Sequence, residues 1–201
     1  MALPARLVVA TKNADKVREV RAVLAETAPQ VRVAEGLDWP DVAETGETLE
    51  ENALLKARAA AAATGLPALA DDTGLEVEAL GGAPGVHTAR FAGLLSGGPG
   101  SVYAANRAAL LAALGGVHDR RARFRTVVAL VTPDGDERLA EGVLEGLITT
   151  AERGSAGFGY DPIFEVEGTT LAEMSEGEKN RISHRARALR ALAAGESRPA
   201  V

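Results

Sequence analysis

Leu7-Val8-Val9-Ala10-Thr11-Lys12-Asn13-Ala14-Asp15-Lys16 passes from four apolar residues into a polar turn. Val17, Val20, Val23 and Leu24 then recur at helical spacing. A buried strand, a loop and a helix in that order open an α/β unit. Asn13 is the natural N-cap of the helix. The loop lacks the glycine spacing of a P-loop. A helix N-terminus still offers free backbone N–H groups and a positive dipole end to a phosphate. Lys12 and Lys16 sit at this end, where cations are disfavoured, and Asp15 offsets part of their charge. A bound anion would account for both lysines; two solvated surface lysines are the alternative.

Working outward, Val31-Arg32-Val33 is a weak second strand. An acidic loop over 38–48 contains Glu44-Thr45-Gly46-Glu47. Thr48-Leu49-Glu50-Glu51 has the form of a capping box. Its helix runs to Ala63 and stops at Thr64-Gly65, with Pro67 beyond. Lys56 lies two turns inside and reads locally as an exposed helix lysine. Ala68-Leu69-Ala70 is a short strand that ends in two adjacent carboxylates, Asp71 and Asp72. Thr73-Gly74 and a glycine-proline turn, Gly81-Gly82-Ala83-Pro84-Gly85, follow. Paired acids beside glycines suit metal-assisted chemistry, but Asp and Gly also make ordinary polar turns.

Ser101 is the expected N-cap of a third helix carrying Tyr103, Leu110, Leu111 and Leu114, which Gly115-Gly116 ends. Phe124-Arg125-Thr126-Val127-Val128-Ala129-Leu130-Val131 is the strongest strand signal. The turn Pro133-Asp134-Gly135-Asp136 joins it to residues 138–144 as an antiparallel hairpin, and Leu147-Ile148-Thr149-Thr150 suggests a further strand. Two of the four phenylalanines and one of the two tyrosines fall between Gly154 and Phe164. Rings flanked by glycine can stack on a base, or they can fold back into the core. Ser183 is the N-cap of a fourth helix whose first turn holds His184 and Arg185, again cations at a positive end.

The composition narrows the function classes. With 46% hydrophobic and 25% charged residues over 201 positions, the chain is expected to fold as one domain, residues 1–201. A formal net charge of −6 argues against a general polynucleotide binder. No apolar run reaches membrane-spanning length. The absence of cysteine removes disulfides and thiolate metal ligands. A cytoplasmic protein is the expectation, since the N-terminal residues lack the parts of a signal peptide.

The carboxylates Glu44, Asp71 and Asp72 are hard oxygen ligands suited to Mg²⁺. Together with cationic helix starts and an aromatic glycine loop, they describe a nucleoside polyphosphate site. In such a site lysines neutralise phosphate charge and a carboxylate takes a proton from water.

The ordered set of motifs resembles one family closely. It comprises Thr11-x-Asn13-x-x-Lys16, Glu44-Thr45-Gly46-x-Thr48-x-x-Glu51-Asn52-Ala53-x-x-Lys56-Ala57 and Ala70-Asp71-Asp72-Thr73-Gly74-Leu75. It continues with Leu80-Gly81-Gly82-x-Pro84-Gly85, Ala89-Arg90-Phe91, Gly157-Phe158-Gly159-Tyr160-Asp161-Pro162 and Glu178-Lys179-Asn180-x-Ile182-Ser183-His184-Arg185. These resemble the inosine/xanthosine triphosphate pyrophosphatases from about Leu7 to Leu192. The resemblance implies an α/β fold with a long mixed β-sheet, flanking helices and two lobes around a central cleft, usually as a homodimer. It implies hydrolysis of ITP, dITP or XTP to the monophosphate and pyrophosphate with Mg²⁺. By position, Glu44 and Asp72 hold the metal, with Asp71 a further candidate, and Asp72 is the proton acceptor. Thr11, Lys12, Asn13, Ala14, Asp15, Lys16 and Lys56 bind the triphosphate, and Thr73 touches substrate. Phe158, Gly159, Tyr160, Asp161, Lys179, His184 and Arg185 form the nucleoside pocket.

Two positions depart from the pattern. Thr73 replaces a frequent serine and keeps the hydroxyl; His87 stands where tyrosine is frequent and reads as a partly buried loop histidine. A 6-oxo purine would accept hydrogen bonds from Arg185, His184 or nearby backbone that adenine could not accept. Two rivals remain: a nucleotide-binding sensor without turnover, and an aspartic protease through Asp72-Thr73-Gly74. The second would need another such carboxylate, and the chain has a single copy of the tripeptide.

Overall fold

The computed structural model describes residues 3–93 and 99–200. Among these are five α-helices and nine strands, the strands joined in the order β2-β1-β3-β5-β6-β7-β8, with β4 on β3 and β9 on β6. The expected mixed α/β sheet is therefore present. None of the helices is long and apolar enough to cross a membrane.

The N-terminal part follows its local signals. β1 (Arg6–Val9) is buried at three consecutive residues and leads into α1 (Ala14–Thr27). The Asn13 side chain caps that helix by accepting from the backbone N–H groups of Asp15 and Lys16. β2 (Arg32–Val33) pairs in parallel with β1, with Arg6 opposite Arg32. α2 (Leu49–Thr64) has the complete Thr48–Glu51 capping box and ends on Gly65 at φ 64°, a left-handed position that glycine adopts without strain. β3 (Ala68–Val77) then pairs in parallel with β1, Val8 opposite Ala68 and Val9 opposite Leu69. Parallel neighbours joined through helices are what the opening strand–loop–helix signal requires.

β3 overturns one expectation. It does not stop at Ala70 but runs straight through Asp71, Asp72, Thr73 and Gly74. The two acids lie inside a buried strand, neither at its end nor in a turn. β4 (Pro84–Gly85) pairs antiparallel with the far end of β3. α3 (Pro99–Ala113) begins before Ser101, so that serine lies within the first turn instead of capping it. β5 (Arg121–Val131) and β6 (Glu137–Ile148) form the expected hairpin, closed where the Thr132 N–H donates to the Asp136 carbonyl at 2.9 Å. β6 is one strand to Ile148, so Leu147 and Ile148 extend it and do not start another. β7 (Phe164–Val166) and β8 (Thr169–Thr170) follow. α4 (Glu176–Ile182) is a short helix that periodicity did not announce. α5 (His184–Ala194) starts at its Ser183 cap, and β9 (Arg198–Pro199) pairs with β6.

The chain divides into two compact units. The first takes the described residues up to Thr73, Thr126–Val143, and those from Ser183 onward. Its core joins Leu7 and Val9 to Val20, Val23, Leu24, Leu69, Val128, Leu130, Leu189 and Leu192. Truncating one of these buried leucines to alanine costs about 2–5 kcal/mol. α5 packs on α1 in this unit. It also lies against β6 so closely that a Cβ at Gly142 would sit 2.1 Å from the His184 carbonyl oxygen and 2.5 Å from the Ala188 nitrogen. Only glycine admits that approach of β6 to the first turns of α5.

The second unit takes Gly74–Arg125 and Leu144–Ile182, as far as they are described. Its core holds Leu75, Leu110, Leu114, Phe124, Ile148, Tyr160, Ile163 and Phe164. The Arg120 guanidinium donates to the backbone carbonyls of Leu114, Ile148 and Thr149, tying the end of α3 to the end of β6. The two strands β3 and β5, like β6, each give one end to each unit.

Candidate active site

Alternation along β3 turns adjacent acids to opposite faces. Asp71 and Thr73 share one face, and Asp72 takes the other. Each acid meets its own cations, all within the first unit.

On the Asp72 side, the Lys56 ammonium donates to Glu44 Oε1 at 2.6 Å and to Asp72 Oδ1 at 2.9 Å. Lys56 is largely buried, contrary to its local reading as a surface lysine. Its position two turns into α2 carries it to β3, while the 38–48 loop supplies Glu44. Burial pushes the Asp72 carboxyl above its ordinary value; Lys56 and Lys16 oppose this only partly, and Glu44 adds to it. Burial also disfavours charge on Lys56, but Asp72, Asp71 and Glu44 together raise it above the usual lysine value. Lys56 therefore stays charged.

On the Asp71 side, Lys16 lies 3.0 Å from Asp71 Oδ2 and Arg185 lies 3.1 Å from the same oxygen. The other end of the Arg185 guanidinium pairs with Glu19. Asp71, Glu19 and Arg185 are all buried. Burial works to raise the Asp71 carboxyl, yet Lys16, Arg185 and Lys56 outweigh it and hold it well below the usual carboxylate range. Thr73 Oγ1 donates to Asp71 at 3.2 Å and lies 2.7 Å from Thr126 Oγ1, which in turn meets His184 Nδ1 at 2.5 Å. Two neighbouring carboxylates are thus driven apart: Asp71 is a fixed anion, and Asp72 is the more basic member.

The remaining residues at the α1 start are placed as follows. Thr11 Oγ1 accepts from the Asn13 N–H at 3.2 Å. Ala14 begins α1, and Asp15 pairs with Arg18 at 3.2 Å. Lys12 is exposed and pairs with Asp41 at 2.6 Å. At the α5 start, Asp71 and Glu19 answer the positive charge of Arg185 from within the protein. That charge gives no separate reason to place a phosphate there.

The second unit holds another group. Asp161 Oδ2 accepts from Lys179 Nζ at 2.6 Å and from the Phe158 N–H at 2.7 Å. Lys179 stands 4.8 Å from the centre of the Phe158 ring, and Tyr103 lies 6.0 Å from it, centroid to centroid. Gly157, at φ 72°, leaves room for the Asp161 carboxylate, which a Cβ would approach to 2.0 Å. The Gly159 carbonyl accepts from Arg107 at 2.9 Å. The aromatic platform is smaller than its sequence suggested. Phe164 is buried on Phe124 at 4.5 Å, and Tyr160 is buried with its hydroxyl donating to the Thr88 carbonyl at 2.9 Å. Phe158 alone of the three remains half-buried.

Sequence reading missed Glu19 and Thr126. Glu19 left a faint trace, an acid beside the apolar positions Val20 and Val23 of α1. Thr126 left almost none, since threonine is common in strands. His87 proves exposed, 3.3 Å from Arg90, and not partly buried. The Asp72-Thr73-Gly74 tripeptide lies within β3 with its aspartate paired to Lys56.

A sequence model of the Ham1 family matches residues 7–195. The chain belongs to the Ham1 family. Among the relatives of this Ham1-family chain, a protein named dITP/XTP pyrophosphatase from Symbiobacterium thermophilum is 55% identical over 187 residues, which are 92% of this chain and 91% of that one. Another of that name, from Syntrophobacter fumaroxidans, is 52% identical over 91% of this chain and 78% of its own length. Among solved structures, the Staphylococcus aureus Ham1 protein superposes with a TM-score of 0.81 at 39% identity, covering 95% of this chain and 97% of that one. The Mycobacterium abscessus dITP/XTP pyrophosphatase gives 0.70 at 42% identity, covering 93% and 97%. The Ham1 membership therefore extends over nearly the whole chain.

Proposed function

We propose that this chain hydrolyses the non-standard purine nucleoside triphosphates ITP, dITP and XTP to the monophosphate and pyrophosphate. Its Ham1 membership and the names of its relatives support the reaction class. The observation that carries the mechanism is the opposed pair Asp71 and Asp72, each set among its own cations.

Glu44 and Asp72 present hard carboxylate oxygens that converge on one cation, the Lys56 ammonium, at 2.6 and 2.9 Å. This donor chemistry fits Mg²⁺, which takes one or two carboxylates and completes its shell with water and phosphate oxygens. Among the described residues no group of three His, Cys, Asp or Glu side chains forms a ready-made cage. The protein's share of the ligands would thus be Glu44 and Asp72, with Asp71 committed to Lys16 and Arg185. Bound there, Mg²⁺ would neutralise phosphate charge.

The chain's own residues do the rest. Lys16 and Lys56 counter the triphosphate charge, and Thr11, Lys12, Asn13, Ala14 and Asp15 line its approach at the α1 start. Asp72 takes the proton from the attacking water. The bond between the α-phosphorus and the bridging oxygen breaks, and pyrophosphate leaves. By the family resemblance, Thr73 touches substrate, and Phe158, Gly159, Tyr160, Asp161, Lys179, His184 and Arg185 are the nucleoside residues. Phe158 offers a ring face, and the Asp161–Lys179 pair braces the loop that carries it. Donors that meet a 6-oxo group go unpaired with adenine, and such a site can discriminate by about 10⁴.

A hydrolysis panel of ITP, XTP, dITP, ATP and GTP with Mg²⁺, scored for pyrophosphate against orthophosphate, tests this. Pyrophosphate with a preference for the first three is expected. Orthophosphate as first product, or equal rates on all five, would overturn it. By the same resemblance we propose a cytoplasmic homodimer of one domain per chain. A light-scattering mass of a single 20.7 kDa chain would contradict the dimer.

A further inference from the structure

Glu44 stands on the 38–48 loop, which is neither helix nor strand. A carboxylate that shares a metal with Asp72 of β3 must nevertheless be held in place. Lys56 holds it through the carboxylate itself, at 2.6 Å. That hold weakens when a metal arrives, because the ammonium and the metal are like charges drawn to the same oxygens. A tether on the backbone has no such conflict.

Asn52, in the first turn of α2, makes that tether. Its side chain is buried. Asn52 Oδ1 accepts from the Gly46 N–H at 2.8 Å, and Nδ2 donates to the Gly46 carbonyl at 3.4 Å. The Gly46 N–H only donates, which fixes the end of the amide that faces it. One side chain therefore receives both backbone groups of one loop residue. A Cβ at Gly46 would lie 2.6 Å from Glu51 Cβ and 2.8 Å from Asn52 Oδ1, so only glycine lets the loop lie this close to α2.

The helix itself does not call for this asparagine. Thr48 and Glu51 complete the capping box between themselves. Asparagine is also a poorer helix former than the alanine that follows it. What Asn52 adds is a grip on the loop two residues beyond Glu44. Lys56, four residues along α2, lies on the same helix face one turn away. One face of α2 thus carries both the backbone tether of the Glu44 loop and the cation that meets the Glu44 carboxylate.

We propose that Asn52 is a positioning residue for metal binding: its amide clamps Gly46 and so holds Glu44 where it and Asp72 can share one divalent cation. This role rests on the reading of Glu44 and Asp72 as the Mg²⁺ ligands. Gly46 is the other half of the clamp.

Mn²⁺ titrated into the full chain without nucleotide, followed by EPR, reports metal binding apart from turnover, and Glu44→Gln identifies the ion bound at this site. Asn52→Leu, which fills a similar volume without the amide, should weaken that binding by about tenfold. Gly46→Ala attacks the same clamp from the loop and should weaken it to a similar extent. Thr48→Ala removes the cap of α2 without touching Gly46, so it should lower the urea midpoint and leave Mn²⁺ affinity unchanged. With dITP as substrate, Asn52→Leu should raise the Mg²⁺ concentration for half-maximal rate by about tenfold, with kcat at saturating Mg²⁺ within about threefold. A folded Asn52→Leu or Gly46→Ala protein that binds Mn²⁺ as the parent does overturns the inference and leaves the metal reading standing. An equal loss in Thr48→Ala would make Asn52 a general support of α2 and overturn it as well. If Glu44→Gln leaves Mn²⁺ binding unchanged, the metal reading itself falls, and the role of Asn52 with it.

Discussion

Asp71 and Asp72 differ by one peptide bond and by nearly everything else. Asp72 is buried, raised above the ordinary carboxylate value and bonded to Lys56. Asp72→Asn keeps the shape and removes the proton acceptor, so it should retain nucleotide binding in calorimetry and lose turnover by more than about 10². Full activity would remove Asp72 from the mechanism. Asp71 makes a different prediction. Its folded value is depressed below the ordinary 3.8, so the unfolded chain takes up the proton first as the medium is acidified. Its contribution is full above about pH 5 and declines as pH falls past 3.8 toward the folded value. Between about pH 5 and about pH 3 the stability gap between the unaltered protein and Asp71→Asn should narrow by about 1 kcal/mol. Urea unfolding at the two pH values measures it, and a gap that widens would contradict the assigned ion pairs. The sequence displayed both acids but not their difference. Alternation along β3 separates them, and their partners come from α1, α2 and α5, far along the chain.

At the scale of the element, what was legible depended on range. The Asn13 cap, the Thr48–Glu51 box, the Gly65 stop and the Ser183 cap are signals a few residues long, and each stands where it was read. β3 was cut short because aspartates in a strand resemble a turn; Lys16, Lys56 and Arg185 make them tolerable there. The Gly154–Phe164 stretch looked like a stacking loop, but packing against β6 and Phe124 takes Phe164 into the core. α4 is seven residues long and leaves too little periodicity to find. Gly142 was not singled out at all, because nothing local shows that α5 touches it. Gly142→Ala should cost about 1–3 kcal/mol by overpacking, read as a lower urea midpoint. It should also weaken dITP binding through the displaced start of α5. An alanine variant as stable as the parent would mean that β6 and α5 do not meet there.

At the scale of the molecule, the first unit is assembled from three separated segments and the second from two. No single stretch contains a whole core: Leu7, Leu69, Leu130 and Leu189 meet from all three segments of the first unit. A fragment of residues 1–73 should therefore show no cooperative thermal unfolding in calorimetry, although it holds two helices and the acidic pair. A sharp transition would show that these residues fold alone. The same interleaving constrains inheritance. Glu19, Asp71 and Thr73 come from one segment, Thr126 from the next, and His184 and Arg185 from the last. A recombination crossover anywhere between Thr126 and His184 would take these partners from two parents. A hybrid gene would work only where both parents carry compatible members of the set, so the buried network is expected to pass between lineages as a linked group of substitutions.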